Sequence, residues 1–214
     1  MKLDIPLIQQ REGSYHCQVA TLLMILHYFD DKLSYDELLA DLDPYLQDGG
    51  MHNQGPATYM SKRGYKTFFA HHDLDMLSPD IENKTEKDIA LFETALDETP
   101  EDEKNAYRRT KLTLDIEYMR TGGSYSSALP TLDIVERYLN KDIPVILGAV
   151  RNKGLHLKPT AGQGNHAIVL TGYEGNTYFL NDPSPNSEGQ YSISKERLLH
   201  AWYNAGVQTR ISWR

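Results

Sequence analysis

Cysteine is nearly absent from this chain: Cys17 stands alone among 214 residues. One thiol forbids an intramolecular disulfide, so nothing in the composition argues for an oxidising compartment. Long hydrophobic runs are missing too. No apolar stretch reaches the roughly 18 residues that a spanning helix needs, and Asp4 and Pro6 break the opening Met-Lys-Leu-Asp-Ile-Pro-Leu. The expectation is a soluble, cytoplasmic protein that does not engage a membrane. Positive charge is scarce, with 22 Lys and Arg against 30 Asp and Glu, a net charge of −8. An acidic chain without a basic stripe is a poor match for a phosphate backbone, so nucleic acid is not an expected partner. Metal-ligand spacing is also missing. His52, His71, His72 and His156 are scattered, and neither a Cys pair nor His-Glu-x-x-His occurs. Gly162-x-Gly164 does not join a strand to a helix in the dinucleotide-binding manner, and there is no Walker sequence. No metal and no cofactor are therefore expected.

What remains is an ordinary globular composition, 40% hydrophobic, long enough to bury a sizeable core as one domain. Residues 3–8 alternate as a short edge strand would. The run Val19-Ala20-Thr21-Leu22-Leu23-Met24-Ile25-Leu26 predicts a buried helix from Cys17 to about Phe29. Ser34-Tyr35-Asp36-Glu37 has the spacing of a capping box and opens a second helix that Pro44 stops. Gly49-Gly50 reads as a flexible joint, 54–63 as a third helix, and 65–70 as a strand.

Residues 73–120 hold 14 Asp and Glu against 7 Lys and Arg, nearly all the net charge of the chain. With Ile89, Phe92 and Leu96, and then Tyr107, Leu114 and Tyr118, at helical intervals, 73–123 reads as an acidic helical insertion or subdomain. Its charge is either a solvated face or a docking surface for a basic protein partner. A helix over 127–140 follows, then the apolar strand Ile143-Pro144-Val145-Ile146-Leu147-Gly148-Ala149-Val150. A glycine-rich loop over 161–165, read as mobile, leads into a strand through Tyr173, a turn at Glu174-Gly175-Asn176, and a return strand to Asn181. A short strand near 191–193, a helix opened by Ser194 and a terminal strand over 207–213 complete the chain, with Trp202 and Trp213 as core. Helices first and strands last predict an α+β fold, N-terminal helices packed on a mainly antiparallel C-terminal sheet.

Cys17 lies where the polar stretch Gln9-Gln10-Arg11-Glu12-Gly13-Ser14-Tyr15-His16 becomes that buried helix. A lone thiol there is either a small buried hydrophobe or a nucleophile. The positive end of a helix can lower a thiol pKa from about 8.5 into the range of about 3.5 to 7.5. The hairpin turn at 174–176 places His166 opposite a residue between 182 and 184, so Asp182 becomes a cross-strand neighbour able to accept the imidazole Nδ1–H. A base and its orienter are what an activated cysteine requires. Either Gln9 or Gln10 could offer a side-chain N–H beside the Cys17 backbone N–H for a developing oxyanion.

The order Cys…His…Asp resembles the papain-like cysteine peptidases, more narrowly the branch of bacteriocin-processing, double-glycine leader peptidases and their stand-alone relatives. The matching phrases are Ile5-Pro6-Leu7-Ile8-Gln9-Gln10 through Cys17, Leu33-Ser34-Tyr35-Asp36-Glu37-Leu38, Arg63-Gly64-Tyr65, Ile143-Pro144-Val145-Ile146, His166-Ala167-Ile168-Val169-Leu170-Thr171-Gly172-Tyr173 and Asn181-Asp182-Pro183. The resemblance does not extend over 73–123 and brings no transporter with it. It implies a papain-like fold, Cys17 as nucleophile, His166 as base and acid, Asp182 as orienter, Gln10 as oxyanion donor, and a peptide or protein substrate. The expected activity is hydrolysis of a peptide or amide bond through an acyl-enzyme. The alternatives are acyl transfer of the transglutaminase kind and a catalytically silent binding module. One departure stands out: these proteins usually carry Gly after the cysteine, and Gln18 stands here. A bulky residue at that position either narrows the substrate channel or marks a pseudoenzyme.

Overall fold

The computed structural model describes residues 2–47, 49–72, 86–156 and 164–214. Residues 73–85 of the acidic segment, and most of the loop expected beside His166, lie outside the described residues.

Helix α1 (Cys17–Tyr28) begins at the cysteine itself, and every residue from Gln18 through Leu26 is buried. A helix apolar on all sides belongs inside a core. Each fully buried Leu, Ile, Val or Met contributes about 1.5–3 kcal/mol relative to exposure, which makes α1 the post around which the fold packs. Ser34 caps α2 (Tyr35–Asp41) by accepting the Glu37 N–H, and the Glu37 carboxylate accepts the Ser34 N–H at 2.8 Å, the reciprocal box that the spacing predicts. Pro44 then falls in a short 3-10 turn, Asp43–Tyr45.

Gly49-Gly50 is not a loose joint. It lies in the return of a small ladder in which β1 (Leu46–Gln47) pairs antiparallel with β2 (Gly50–Met51), Leu46 facing Met51. Helix α3 (Gln54–Lys62) and strand β3 (Lys66–His71) follow as predicted. The acidic segment contributes α4 (Glu86–Glu98) and α5 (Ala106–Arg120). Ile89, Phe92, Leu112, Ile116 and Met119 cluster with Ala57 of α3 and Phe69 of β3. Tyr107, expected on the apolar stripe, is instead 69% exposed. Part of the acidity is neutralised within the fold, by Glu93–Arg120 at 2.5 Å and Glu117–Lys62 at 2.6 Å.

Strand β4 (Ser124–Ser126) runs parallel to β3. Helix α6 (Leu132–Leu139) starts later than the expected 127, because Pro130 disfavours helical geometry in the residue before it. Then come β5 (Val145–Arg151), α7 (Asn152–His156), β6 (Asn165–Glu174), β7 (Thr177–Asn181), β8 (Gln190–Ser194), α8 (Lys195–Tyr203) and β9 (Gln208–Trp213). Gly175, at φ 56°, supplies the positive φ that the tight β6–β7 turn demands. Residues 3–8 do not form the expected strand. Lys2 makes an isolated bridge to Gly172, Leu3 N–H donates to Thr171 O at 2.7 Å, and farther on the Ile5 carbonyl is taken by the Asn181 side chain at 2.9 Å. Pro6, lacking an N–H, cannot continue a ladder as donor.

Among the described residues the main sheet has the strand order β4-β3-β9-β5-β6-β7-β8, antiparallel at each pairing except β3 with β4. The mainly antiparallel α+β arrangement thus holds, although β3 and β4 come from the first, helical part of the chain. Trp202 is wholly buried and Trp213 packs on Tyr138 with ring centroids 5.3 Å apart. No described helix is long and apolar enough to cross a membrane.

Close approach of α3 to the turn before it depends on Gly55, where an added Cβ would lie 2.4 Å from Tyr45 Cβ. Gly55→Ala separates two opposing effects. Helix propensity alone favours Ala by about 1 kcal/mol, whereas forced overpacking costs about 1–3 kcal/mol. A lower urea midpoint is expected, and a higher one would mean that the Tyr45 contact is not tight.

Candidate active site

Strand β6 and the chain after β7 bring His166 and Asp182 together. Nε2–H of His166 donates to Asp182 Oδ1 at 2.7 Å, with both side chains buried. The contact differs from the expected one in which nitrogen it uses. Val169 faces Asn181, and carrying that register on to His166 would face it with Ser184, while β7 has already ended at Asn181. His166 itself pairs with Val150 of β5. Asp182 is therefore off the ladder, and the ring meets it with its far nitrogen. That leaves Nδ1 as the ring nitrogen not engaged by the carboxylate.

Asp182 is fixed from several sides. Its Oδ1 also accepts the Ser184 N–H at 2.8 Å, its Oδ2 accepts the Tyr191 hydroxyl proton at 2.9 Å, and its own N–H donates to Gly189 O at 2.7 Å. Burial and the neighbouring Asp182 charge hold the Tyr191 hydroxyl well above its ordinary pKa, so it serves as a donor.

Cys17 occupies the first turn of α1 and hydrogen-bonds to His166. Burial works against its thiolate. The bond from His166, the charge of that ring, the Ala167 N–H and the charge of Arg210 outweigh burial, and the thiol titrates below its ordinary value. Burial likewise opposes the His166 imidazolium, but Asp182 and Cys17 outweigh it and push the ring up to about 10. Opposite shifts on touching partners favour one state, a thiolate–imidazolium pair.

Gln9 is exposed, whereas Gln10 is half-buried and held at two points. Its backbone N–H donates to Pro183 O at 2.8 Å, and its side-chain Nε2 donates to Ser14 O at 2.8 Å. The residue next to Asp182 thus ties Gln10 to the site. The loop is braced by an Arg11–Asp36 ion pair and by the Arg11 guanidinium 4.8 Å from the Tyr35 ring centre.

Gln18 is turned into the protein and is 7% exposed. Its Nε2 donates to Asn53 Oδ1 at 2.7 Å and to Met51 O at 3.1 Å, and its Oε1 accepts from Arg210 Nη1 at 2.9 Å. Its amide faces these groups. Sequence reading did not single out Tyr191, Asn53 or Arg210. For Arg210 there was little signal, since Gln208-Thr209-Arg210-Ile211-Ser212-Trp213 mixes polar and apolar residues and an arginine is ordinarily exposed. Tyr191, in a short polar strand, offered none. Among the described residues no cluster of His, Cys, Asp and Glu is arranged to hold a metal.

The model of the Peptidase_C39 like family matches residues 2–210. Solved structures are similar at low identity. A double glycine motif protease from an AMS/PCAT transporter, solved with its leader peptide, is 14% identical, with a TM-score of 0.50 over 99% of this chain and 92% of that one. The peptidase domain of Streptococcus ComA, a bifunctional ABC transporter of a quorum-sensing pathway, is 14% identical at a TM-score of 0.53, over 97% and 96%. A protein described as a C39-like peptidase from Bacillus anthracis is 14% identical at 0.54, over 100% and 98%. No curated protein matches the chain. At these identities the structural likeness shows the fold.

The raised His166 value can be read directly. Nitrogen-detected NMR of the histidine rings is expected to find His166 still doubly protonated at about pH 8, far above the ordinary value of about 6.5. Cys17→Ala should lower its midpoint by removing the thiolate. A ring that titrates near the ordinary value in both proteins would contradict the ion pair.

Proposed function

Since this chain belongs to the Peptidase_C39 like family and is therefore a cysteine-peptidase-like protein, we propose that it cleaves a peptide or amide bond with Cys17 as nucleophile, His166 as acid and base, and Asp182 as the group that orients His166. The observation that carries this reading is the convergence of Cys17 and Asp182 on one buried imidazole. Each nitrogen then has one task. Nε2–H is fixed on the carboxylate, and Nδ1 exchanges its proton with the reacting groups.

The reaction follows from that division. The Cys17 thiolate adds its electron pair to the carbonyl carbon, and the carbonyl π pair moves to oxygen. The Cys17 N–H, one of the unpaired donors at the start of α1, and the second N–H of the Gln10 amide would receive that oxyanion. On collapse the C–N bond breaks, the leaving amine takes the His166 proton, and a thioester remains. His166, now neutral, draws a proton from water, which attacks the thioester and restores the thiolate–imidazolium pair. An amine in the place of that water would make the same residues an acyltransferase, a choice that the products reveal.

A peptide is the substrate class we favour. One neighbour in fold, the double glycine motif protease, was solved with a leader peptide, and glycine-rich backbone is the kind that approaches a recessed thiol most closely. A free thiol nucleophile persists in reducing surroundings, so the reading assigns the protein to the cytoplasm.

Hydrolysis of a peptide library is expected to rise with pH through the lowered thiol value, to level off, and to fall as His166 loses its proton near 10. Cys17→Ala should abolish turnover, and His166→Ala should lower it by about 10²–10⁴-fold, the usual weight of a positioned acid–base group. Turnover that survives in Cys17→Ala would remove the nucleophile from this account.

A further inference from the structure

We propose that Arg210 is a positioning residue of this site, an internal counter-charge that keeps Cys17 ionised, and that Gln18 is present after the cysteine because it holds Arg210. The inference rests on the reading of Cys17 as nucleophile and extends it to a residue of β9.

Arg210 lies in the middle of β9, between Ile146 of β5 and Phe69 of β3, and is 2% exposed. A guanidinium so far from water is costly unless paired, and buried charges are found with partners. No carboxylate pairs with this one among the described residues. Nη1 donates to Gln18 Oε1 at 2.9 Å, while Nε and Nη2 have no hydrogen-bond partner. Burial pushes its pKa down to about 10, still well above neutrality, while the charge of Cys17 opposes that fall and is in turn favoured by Arg210.

The fold makes room for this group on purpose-shaped backbone. At the irregularity of β5, between Leu147 and Val150, stands Gly148. A Cβ there would come within 2.9 Å of Asn53 Oδ1 and 3.3 Å of Arg210 Nε. Asn53 in turn accepts from the Gln18 amide that holds Arg210. Gly148, Asn53, Gln18 and Arg210 are thus one interlocked arrangement that ends on the helix turn carrying Cys17.

Charge balance explains what it does. With a thiolate, an imidazolium and the Asp182 carboxylate, the buried group carries one net negative charge, and Arg210 brings it to zero. Acylation removes the thiolate charge as the imidazolium proton leaves with the amine, and Asp182 and Arg210 remain as a balanced pair. Neutrality is kept before and after the step, in a place where an uncompensated charge would be expensive. Other titratable groups lie at the start of α1 and on further elements of the fold. His16 precedes Cys17 and is held below its ordinary value by burial and by Arg11, so it is neutral. Tyr35 of α2 is raised by burial. On α5, Asp115 is engaged by Gln54 at 2.8 Å and by Lys111 at 3.7 Å. On β3, His71 faces Gln208.

The test is the pH dependence of Cys17 alkylation by iodoacetamide in the full chain, for wild type, Arg210→Met, Arg210→Lys and Gln18→Leu, with folding checked by circular dichroism. Arg210→Met is expected to move the acid limb upward, slowing labelling at about pH 6 by roughly tenfold for each unit. Arg210→Lys should restore most of the rate, since it restores the charge. Gln18→Leu, which keeps the charge and frees it from its anchor, should move the limb in the same direction by less. A folded Arg210→Met with the wild-type profile would overturn the proposal. Should Arg210→Met not fold, a folded Gln18→Leu with an unmoved limb would overturn it equally. A wild type that labels no faster than free cysteine counts against the nucleophile itself, whereas fast wild type beside an unmoved Arg210→Met counts against Arg210 alone.

Discussion

The His166 ring is held inside the protein between a carboxylate on one nitrogen and a thiol, and much of the architecture serves that placement. Strand β6 is buried along most of its length and fixes the ring from one side. The turn after β7 brings Asp182, with Ser184 and Tyr191 as its further donors. Helix α1 brings Cys17 and is itself immobilised by a core on every side. Helix α1 and the β6–β7 hairpin region, far apart in sequence, must dock correctly for the three side chains to meet. Geometry of that kind is maintained by packing, since single hydrogen bonds to charged groups contribute only about 1.5–3 kcal/mol each.

Burial sets the chemistry as well as the geometry. Removing water from Cys17 and His166 disfavours the charge on each when considered alone. Placed together, each favours the other's charged form, and the thiol falls while the imidazole rises. On the proposed reading the pair offers a nucleophile and an acid at one pH, which separate groups in water do less well. Arg210 belongs to the same logic: an otherwise expensive buried cation becomes sensible beside a buried anion.

Much of this was legible in the sequence, for identifiable reasons. The α1 helix, the Ser34 capping box and the β6–β7 hairpin depend on local patterns, and local patterns survive in a linear reading. The order Cys17, His166, Asp182 could be joined because a hairpin turn gives an approximate register without any knowledge of the rest. What failed was the fine register. The end of β7 at Asn181 leaves Asp182 off the ladder, where it meets Nε2 of the ring instead of Nδ1. The strand expected over 3–8 was lost to side-chain capture of a carbonyl, which no alternation pattern encodes. Gln18 is the instructive residue. Judged from sequence it either narrows a channel or marks a pseudoenzyme; its contacts with Asn53 and Arg210 come from tertiary structure alone.

A nucleophilic Cys17 would carry an acyl group during turnover. Intact-mass and peptide-level mass spectrometry after rapid acid quench, with a peptide library as substrate, tests it most directly. An acyl adduct is expected on the Cys17 peptide, its mass reporting the substrate's cleaved end, and none in Cys17→Ala. Substrate turnover with no adduct on Cys17, at quench times shorter than one catalytic cycle, would contradict it.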